Sequence, residues 1–421
     1  MTEPLKKTWS LKAFTDKRDM RAIATLAFVH GVILLCGLGS SVIWTRMMSP
    51  ESFGEFRLVL SVLAFVGGFC LLGTGQAALM SASQGMDGNF NRLLASRLWA
   101  NLAGSGGLLA AAAYYWRDGN SDVALALAIA AVLFPSYNLS DFWMSWLNGK
   151  RAFGELSTAR AVNAAIPVFA LVMAVLIDTR QTWVVILILM LAIGVQNVTR
   201  VFRSRNSLQG TQSDLKVLAY GHHNSIAMAF SSLLALDVII LERWHSPIEV
   251  ASYAVALQLP SSLKGLISIF GQVLAPRVYE QTNVRDAWVV IRRPFFALQA
   301  GFILIGLVGF FWLEPIMIFL FTREYSAAIE LSRWLWLATC ITGPAVYLVP
   351  LLASTKRLLF VYGPYFGYPL VLTCLFLALG SEGVSGVVTA RIGAMIALAA
   401  FYVLGFVFLL FRERSSADVY G

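Results

Sequence analysis

The 421-residue chain is 58% hydrophobic and 13% charged, with a mean hydropathy of +0.71, a balance that places it among membrane proteins and excludes a soluble multidomain protein. Its net charge of +9 has no solvated domain on which to form a basic face, so membrane topology rather than nucleic acid accounts for the excess. Cys36, Cys70, Cys340 and Cys374 fall inside apolar runs without CxxC or ligand-like spacing, which speaks against structural disulfides and a metal site.

In chain order, residues 1–21 form a basic polar tail carrying Lys6, Lys7, Lys12, Lys17, Arg18 and Arg21. No small-residue cleavage site precedes the first apolar run, so no cleaved signal peptide is expected. Apolar spans long enough to cross about 30 Å of hydrocarbon follow at 22–45, 58–80, 98–116, 122–147, 160–177, 182–201, 219–241, 251–274, 295–313, 331–352, 358–379 and 384–411. The chain therefore reads as an all-α polytopic membrane protein with twelve spans. With both termini cytoplasmic, 23 of the 32 Lys and Arg lie on the inner side and seven on the outer side. The positive-inside rule then sets the orientation, and the inner (plasma) membrane is the expected location. The polar stretch RSRNSLQGTQSDLK, Arg203 to Lys216, reads as a connection between halves rather than a packed element. The expected organisation is a tail at 1–21, an N-terminal lobe at 22–202, a linker at 203–218, a C-terminal lobe at 219–411 and a tail at 412–421.

An internal repeat supports two halves. A shift of 197 residues lays Arg46-Met47-Met48-Ser49-Pro50 onto Arg243-Trp244-His245-Ser246-Pro247, and Phe56 onto Tyr253. A shift of 206 lays Leu147-Asn148-Gly149-Lys150-Arg151 onto Ala353-Ser354-Thr355-Lys356-Arg357. The matches keep their order. Six spans per half give both halves the same orientation, so their pseudo-twofold axis runs along the membrane normal.

The stretches WTRMMSPESFGEFRLVLSVLAFVGGF, LDVIILERWHSPIEVASYAVALQLPSSLKGL, LAPRVYEQ and LNGKRAFGELSTAR resemble Wzx-type polysaccharide flippases of the multidrug/oligosaccharidyl-lipid/polysaccharide exporter superfamily. The resemblance extends over nearly the whole chain and rests on diffuse helix-end patterns. It implies two six-helix lobes around a cavity lined mainly by spans 1, 2, 7 and 8. A polyprenyl-diphosphate-linked oligosaccharide is the implied substrate, moved from the inner to the outer leaflet for O-antigen, capsule or exopolysaccharide assembly. A polysaccharide polymerase and a chain-length regulator are the implied partners, beside the membrane lipids. The two extra C-terminal helices of lipid II flippases have no counterpart here.

An ionisable side chain at the bilayer centre costs about 2.5–3.5 kcal/mol on insertion scales, so each such residue needs a partner or a wet cavity. Lys264 lies near the middle of span 8, with Ser261, Ser268 and Gln272 on its side and Gln258 on the adjoining stripe. Such a polar face suits a lipid diphosphate; snorkelling or packing against a carboxylate is the structural alternative. Arg46 and Arg243 occupy equivalent outer helix ends, where a cation either guides the departing diphosphate or caps the helix. Arg391, roughly 10 Å inside span 12, is either a ligand or half of an interlobe ion pair.

Asp237, Asp141 and His30 are the candidates for coupling to H+ or Na+. The plainer account pairs Asp237 with Lys264 or Arg391, Asp141 with Arg160, and leaves His30 a hydrogen-bonded structural residue. Trp44, Tyr114, Trp116, Trp183 and Trp244 read as interfacial belts. Pro135, Pro167, Pro260, Pro344, Pro350 and Pro369 read as helix interruptions. No nucleotide-binding glycine motif or metal-ligand cluster appears, so no cofactor beyond the coupling ion and no enzymatic role is expected. Two rivals remain: a drug or metabolite exporter of the same superfamily, and a membrane-embedded polymerase or glycosyltransferase. The latter generally needs a substantial outer loop, and the longest here runs roughly a dozen residues.

Overall fold

Within hydrocarbon, backbone N–H and C=O groups must be satisfied inside the segment that carries them, which makes helices of these apolar runs. The computed structural model describes residues 17–177, 181–279, 284–354 and 358–419, and every regular element among them is helical. Crossing 1 is α1 (Lys17–Met47), and crossing 2 is a broken pair, α2 (Pro50–Gly68) and α3 (Thr74–Ser83). Crossing 3 is α4 (Asn89–Arg117), and crossing 4 is again broken, into α5 (Ser121–Tyr137) and α6 (Ser140–Gly149). Crossings 5 and 6 are α7 (Phe153–Leu176) and α8 (Thr182–Asn206), completing the N-terminal lobe.

The C-terminal lobe repeats the plan. Crossing 7 joins α9 (Leu215–Ser231) to α10 (Leu236–Trp244) through a 3-10 turn at Ser232–Ala235. Crossings 8 and 9 are α11 (Pro247–Tyr279) and α12 (Val284–Phe321). Crossing 10 runs from α13 (Ser326–Thr342) through a 3-10 stretch, Gly343–Leu348, into α14 (Val349–Ser354). Crossings 11 and 12 are α15 (Leu358–Leu379) and α16 (Val384–Val419). The bundle has a linker end, where the two lobes are joined in sequence, and a far end, where α1 turns into α2 and α10 into α11.

At the far end the repeat is visible in the helix boundaries. Helix α1 stops at Met47 and α2 starts at Pro50; α10 stops at Trp244 and α11 starts at Pro247. Serine followed by proline begins both helices, as helix chemistry favours: Ser49 Oγ accepts from the Ser52 N–H at 3.2 Å, and proline's missing donor costs nothing in a first turn. The two equivalent hairpins also meet one another. A Cβ on Gly54 of α2 would collide with the Pro247 carbonyl of α11, so glycine sets how closely these helices approach. Arg46 donates to the Leu320 carbonyl at 3.2 Å and to the Phe319 carbonyl, capping the end of α12 across the lobe boundary. Tyr115 of α4 donates to Glu242 of α10 at 3.1 Å.

The linker end departs from the sequence reading. Residues 207–214 are not a loose connection. Asp87, buried in the turn between α3 and α4, takes a hydrogen bond from Lys150 Nζ at 2.6 Å and from the Gln209 and Gly210 N–H groups at 2.9 and 3.3 Å. Gly88 N–H donates to the Gln212 carbonyl at 2.9 Å, and Asp214 N–H to Asn89 Oδ1 at 3.1 Å. Burial pushes the Asp87 carboxyl up, but Lys150 and the two linker N–H groups outweigh it and hold it below the usual carboxylate range. The linker's serines, glycine and asparagine read as flexible because its partners lie more than a hundred positions away.

Two further expectations change. Trp44 is not interfacial but buried, stacked on Phe56 at 4.3 Å between ring centroids. Of the prolines, Pro135 and Pro344 stand at breaks, whereas Pro167 and Pro369 sit within continuous helices. Crossings 2 and 7 break without proline, at 69–73 and Ser232–Ala235. At the first break Leu71 adopts φ 56°, a left-handed conformation unusual for leucine.

Candidate functional site

Four charged or phenolic side chains converge about 10 Å inside the far end, each six or seven residues from the end of its own helix. They come from α2 (Arg57), α10 (Asp237), α11 (Tyr253) and α16 (Arg391). Arg391 Nη1 donates to Asp237 Oδ2 at 2.5 Å and to Tyr253 Oη at 2.5 Å, while Tyr253 donates to the same carboxylate oxygen at 2.6 Å. The other oxygen, Oδ1, accepts from Val238 N–H at 2.8 Å. Asp237 is 4% exposed. A carboxylate removed from water to this degree is held only by such saturation. The ion pair lies within the C-terminal lobe, not between lobes.

Arg57, half-buried where α2 meets the C-terminal lobe, is within electrostatic reach of Asp237, Tyr253 and Arg391. Tyr368 of α15 is likewise within reach of Arg391 and Asp237. Further along α11, Lys264 follows Tyr253 by eleven positions, three turns on the same stripe and about 16 Å deeper. Arg391 is within electrostatic reach of Lys264. Lys264 lines a cavity of about 110 Å³ within the C-terminal lobe, with Thr339, Thr342, Tyr368 and Tyr402 among its walls. Arg57, where α2 meets the C-terminal lobe, and Arg391 and Lys264 inside that lobe are thus three cations grouped on the side of the Asp237 carboxylate.

The remaining sequence candidates fall into separate places. Gln258 Nε2 donates to the Gly37 carbonyl of α1 at 3.2 Å, bridging the lobes at mid-depth, and Ser261 is exposed beside it. The side chains of Ser268, Gln272 and His30 lie outside the described residues. Arg46 faces the α12 carbonyls rather than the charge cluster.

Asp141 lies in the other lobe, where α3 and α6 are so close that a Cβ on Gly75 would press against its carboxylate. The cation acting on it is Arg97, correcting the Arg160 pairing. Arg97 is 0% exposed and donates to the Asn138 carbonyl at 3.1 and 3.3 Å, in the gap where α5 gives way to α6.

Arg57, Tyr253, Tyr368 and Arg97 are the residues that sequence reasoning missed. Arg57 is one of the seven Lys and Arg on the outer side, where topology alone accounts for it. Tyr253 was detectable, because the eleven-residue step from Lys264 puts it on the same helix face. Among the described residues no group of His, Cys, Asp and Glu could hold a metal ion.

No protein-family model and no curated protein matches the sequence. Solved structures do match its fold. The chain is similar to a multidrug resistance MATE family transporter of the MOP superfamily in its inward-facing conformation, with a TM-score of 0.67 and 11% identity over 95% of this chain and 100% of that one. It is similar to the lipid II flippase MurJ in an inward closed conformation, with a TM-score of 0.65 and 14% identity over 92% of this chain and 87% of that one. A third match is a MOP superfamily transporter from Pyrococcus furiosus, described by the reverse polarity of its binding pocket, with a TM-score of 0.64 and 12% identity over 94% and 96% of the two chains. Identities this low speak to architecture. The protein is a multi-pass membrane protein with the two-lobed, twelve-helix fold that these transporters share.

Proposed function

We propose that the protein is a flippase that moves a polyprenyl-diphosphate-linked oligosaccharide across the inner membrane for surface polysaccharide assembly. The observation that carries this reading is the grouping of three cations, Arg57 where α2 meets the C-terminal lobe and Arg391 and Lys264 within it. A diphosphate brings the opposite charge into a low-dielectric setting where it is worth most. In this reading the linker end is cytoplasmic, as the distribution of Lys and Arg requires. The headgroup enters from that side and meets Lys264. The lobes then rock about their boundary and pass it to Arg57 and Arg391 near the far end, while the prenyl tail stays in lipid. The far-end contacts at Gly54, Arg46 and Tyr115 are those that opening to the outside has to break.

A coupling H+ or Na+ at Asp237 has to compete with Arg391, Tyr253 and the Val238 N–H. Asp141 in the N-terminal lobe is therefore the better placed acid. A polymerase and a chain-length regulator are the partners this role calls for. The reading of a drug exporter is disfavoured because cationic drugs are repelled by the same three residues.

The test is transport in liposomes by the purified full-length protein, using a fluorescent polyprenyl diphosphate disaccharide. Lys264→Ala and Arg57→Ala are expected to slow translocation by about tenfold or more, while Arg200→Gln, in a pair with Glu155 remote from the cluster, leaves it unchanged. Wild-type rates for both Ala variants at equal protein density overturn the assignment.

A further inference from the structure

We propose that the groove between crossing 2, α4 and α9 is a binding site for one acyl chain of an anionic phospholipid of the linker-end leaflet, with Arg92 taking the lipid's phosphate. The ligand is a component of the bilayer rather than the transported substrate, so the site does not rest on the flippase reading.

The groove encloses about 730 Å³, within the roughly 300–1,000 Å³ of small-molecule pockets. Phe65, Phe69 and Leu71 of crossing 2 form one wall, and Ser96, Trp99 and Gly107 of α4 mark the length of the other. His222 of α9 adds a residue of the C-terminal lobe. Phe69 and Trp99 are 55% and 74% exposed. At a depth where the surroundings are hydrocarbon, such exposure opens the groove to lipid chains. No carboxylate lines it among the described residues.

Depth along α4 selects the occupant. The 29 residues of this helix span about 43 Å, the thickness of a bilayer with its headgroup regions. Ser96 and His222 each stand seven residues from the linker end of their helices, about 10 Å in and just inside the hydrocarbon boundary. Gly107 lies eleven residues beyond Ser96, so the groove runs about 16 Å, close to one leaflet's share of a core about 30 Å thick. A single acyl chain matches that length, whereas a polyprenyl tail of many isoprene units overruns it.

Arg92 supplies the sign. It stands four residues before Ser96 on the same stripe of α4, exposed and about 6 Å nearer the linker end, at headgroup depth. Among the described residues it has no ion-pair partner, and Asp87, the nearest acid in sequence, is held by Lys150 and the linker N–H groups. An exposed guanidinium above an apolar groove suits a phosphate carried on a hydrocarbon chain. Because His222 belongs to the other lobe, the site is complete only while α9 lies against crossing 2. It does so closely here, since a Cβ on Gly73 would collide with the Gly221 carbonyl. A bound lipid therefore favours this arrangement of the lobes.

The experiment uses the purified full-length protein in liposomes of phosphatidylcholine and phosphatidylglycerol, with the chains of one lipid or the other brominated to quench tryptophan. The signal assigned to Trp99 is the quenching present in the wild type and absent in Trp99→Phe. Brominated phosphatidylglycerol is expected to reach half of that quenching at about a fivefold lower mole fraction than brominated phosphatidylcholine. Arg92→Gln is expected to erase the difference. Ala103→Phe, which fills the groove from an exposed position, is expected to do the same and leave only the quenching that any neighbouring lipid gives. Equal quenching by the two lipids in the wild type overturns the site, as does a preference that survives both substitutions. Displacement of brominated phosphatidylglycerol by a trace of polyprenyl diphosphate assigns the groove to the tail of the transported lipid and likewise overturns it.

Discussion

Asp237 accepts hydrogen bonds from Arg391, Tyr253 and the Val238 N–H, and its removal separates two effects that are easily confused. Asp237→Asn deletes the charge that holds Arg391 and leaves a buried guanidinium without its carboxylate, a change that costs about 3–5 kcal/mol in comparable buried pairs. The expected outcome is a large drop in melting temperature together with loss of transport. Asp237→Asn combined with Arg391→Gln is expected to regain most of the stability but none of the transport, and a double-mutant cycle on thermal melts measures the coupling. Recovery of transport in the double variant contradicts a role for Arg391 in binding. At this scale the sequence shows which charges matter, because a charge inside an apolar span is visible by inspection, and it narrows the partner of Asp237 to Lys264 or Arg391; the structure pairs it with Arg391, 154 positions away. Arg57 escaped notice because a cation seven residues into a helix reads equally as an interfacial anchor and as a buried group. Arg97 stands one position before the apolar span 98–116 and so shows no sign of burial in the sequence, whereas α4 begins early enough to bury it beside Asp141.

The hairpins at the far end show what an element can reveal when a motif is repeated. Ser-Pro after a basic residue marked both helix starts, and the structure places them at the predicted shift of 197 residues. That the two hairpins touch one another was not legible, because contact depends on Gly54 having no side chain. Gly54→Val is expected to pry α2 from Pro247 and raise the labelling rate of Ser246→Cys by a membrane-impermeant maleimide several-fold; unchanged labelling means this contact does not close the far end. The breaks in crossings 2 and 7 were also hidden. Both flanking helices are apolar and no proline marks the join, so the hydropathy pattern runs through without interruption.

For the molecule as a whole, the linker pinned by Asp87 restrains the two lobes at the end opposite the hairpins. Since the Asp87 carboxyl is held below its ordinary range, its ionised form contributes stability above the unfolded value of about pH 4, and that contribution is lost as pH falls through the lower folded value. Wild-type melting temperature is expected to fall over that acid window, and Asp87→Asn is expected to flatten the fall and to make residues 207–214 protease-sensitive at pH 7. An unaltered acid profile assigns the loss to other carboxylates.

The twofold plan of this fold also has a consequence for how its halves divide the labour. The shift of 197 residues that superposes the hairpins carries Arg57 onto Ala254, Asp237 onto Ser40 and Lys264 onto Gly67. The scaffold is duplicated, but the chemistry is not. An anion lying between the lobes therefore meets a jaw that grips and an anvil that mostly shapes, and its resting place is displaced from the pseudo-axis toward the second half of the chain.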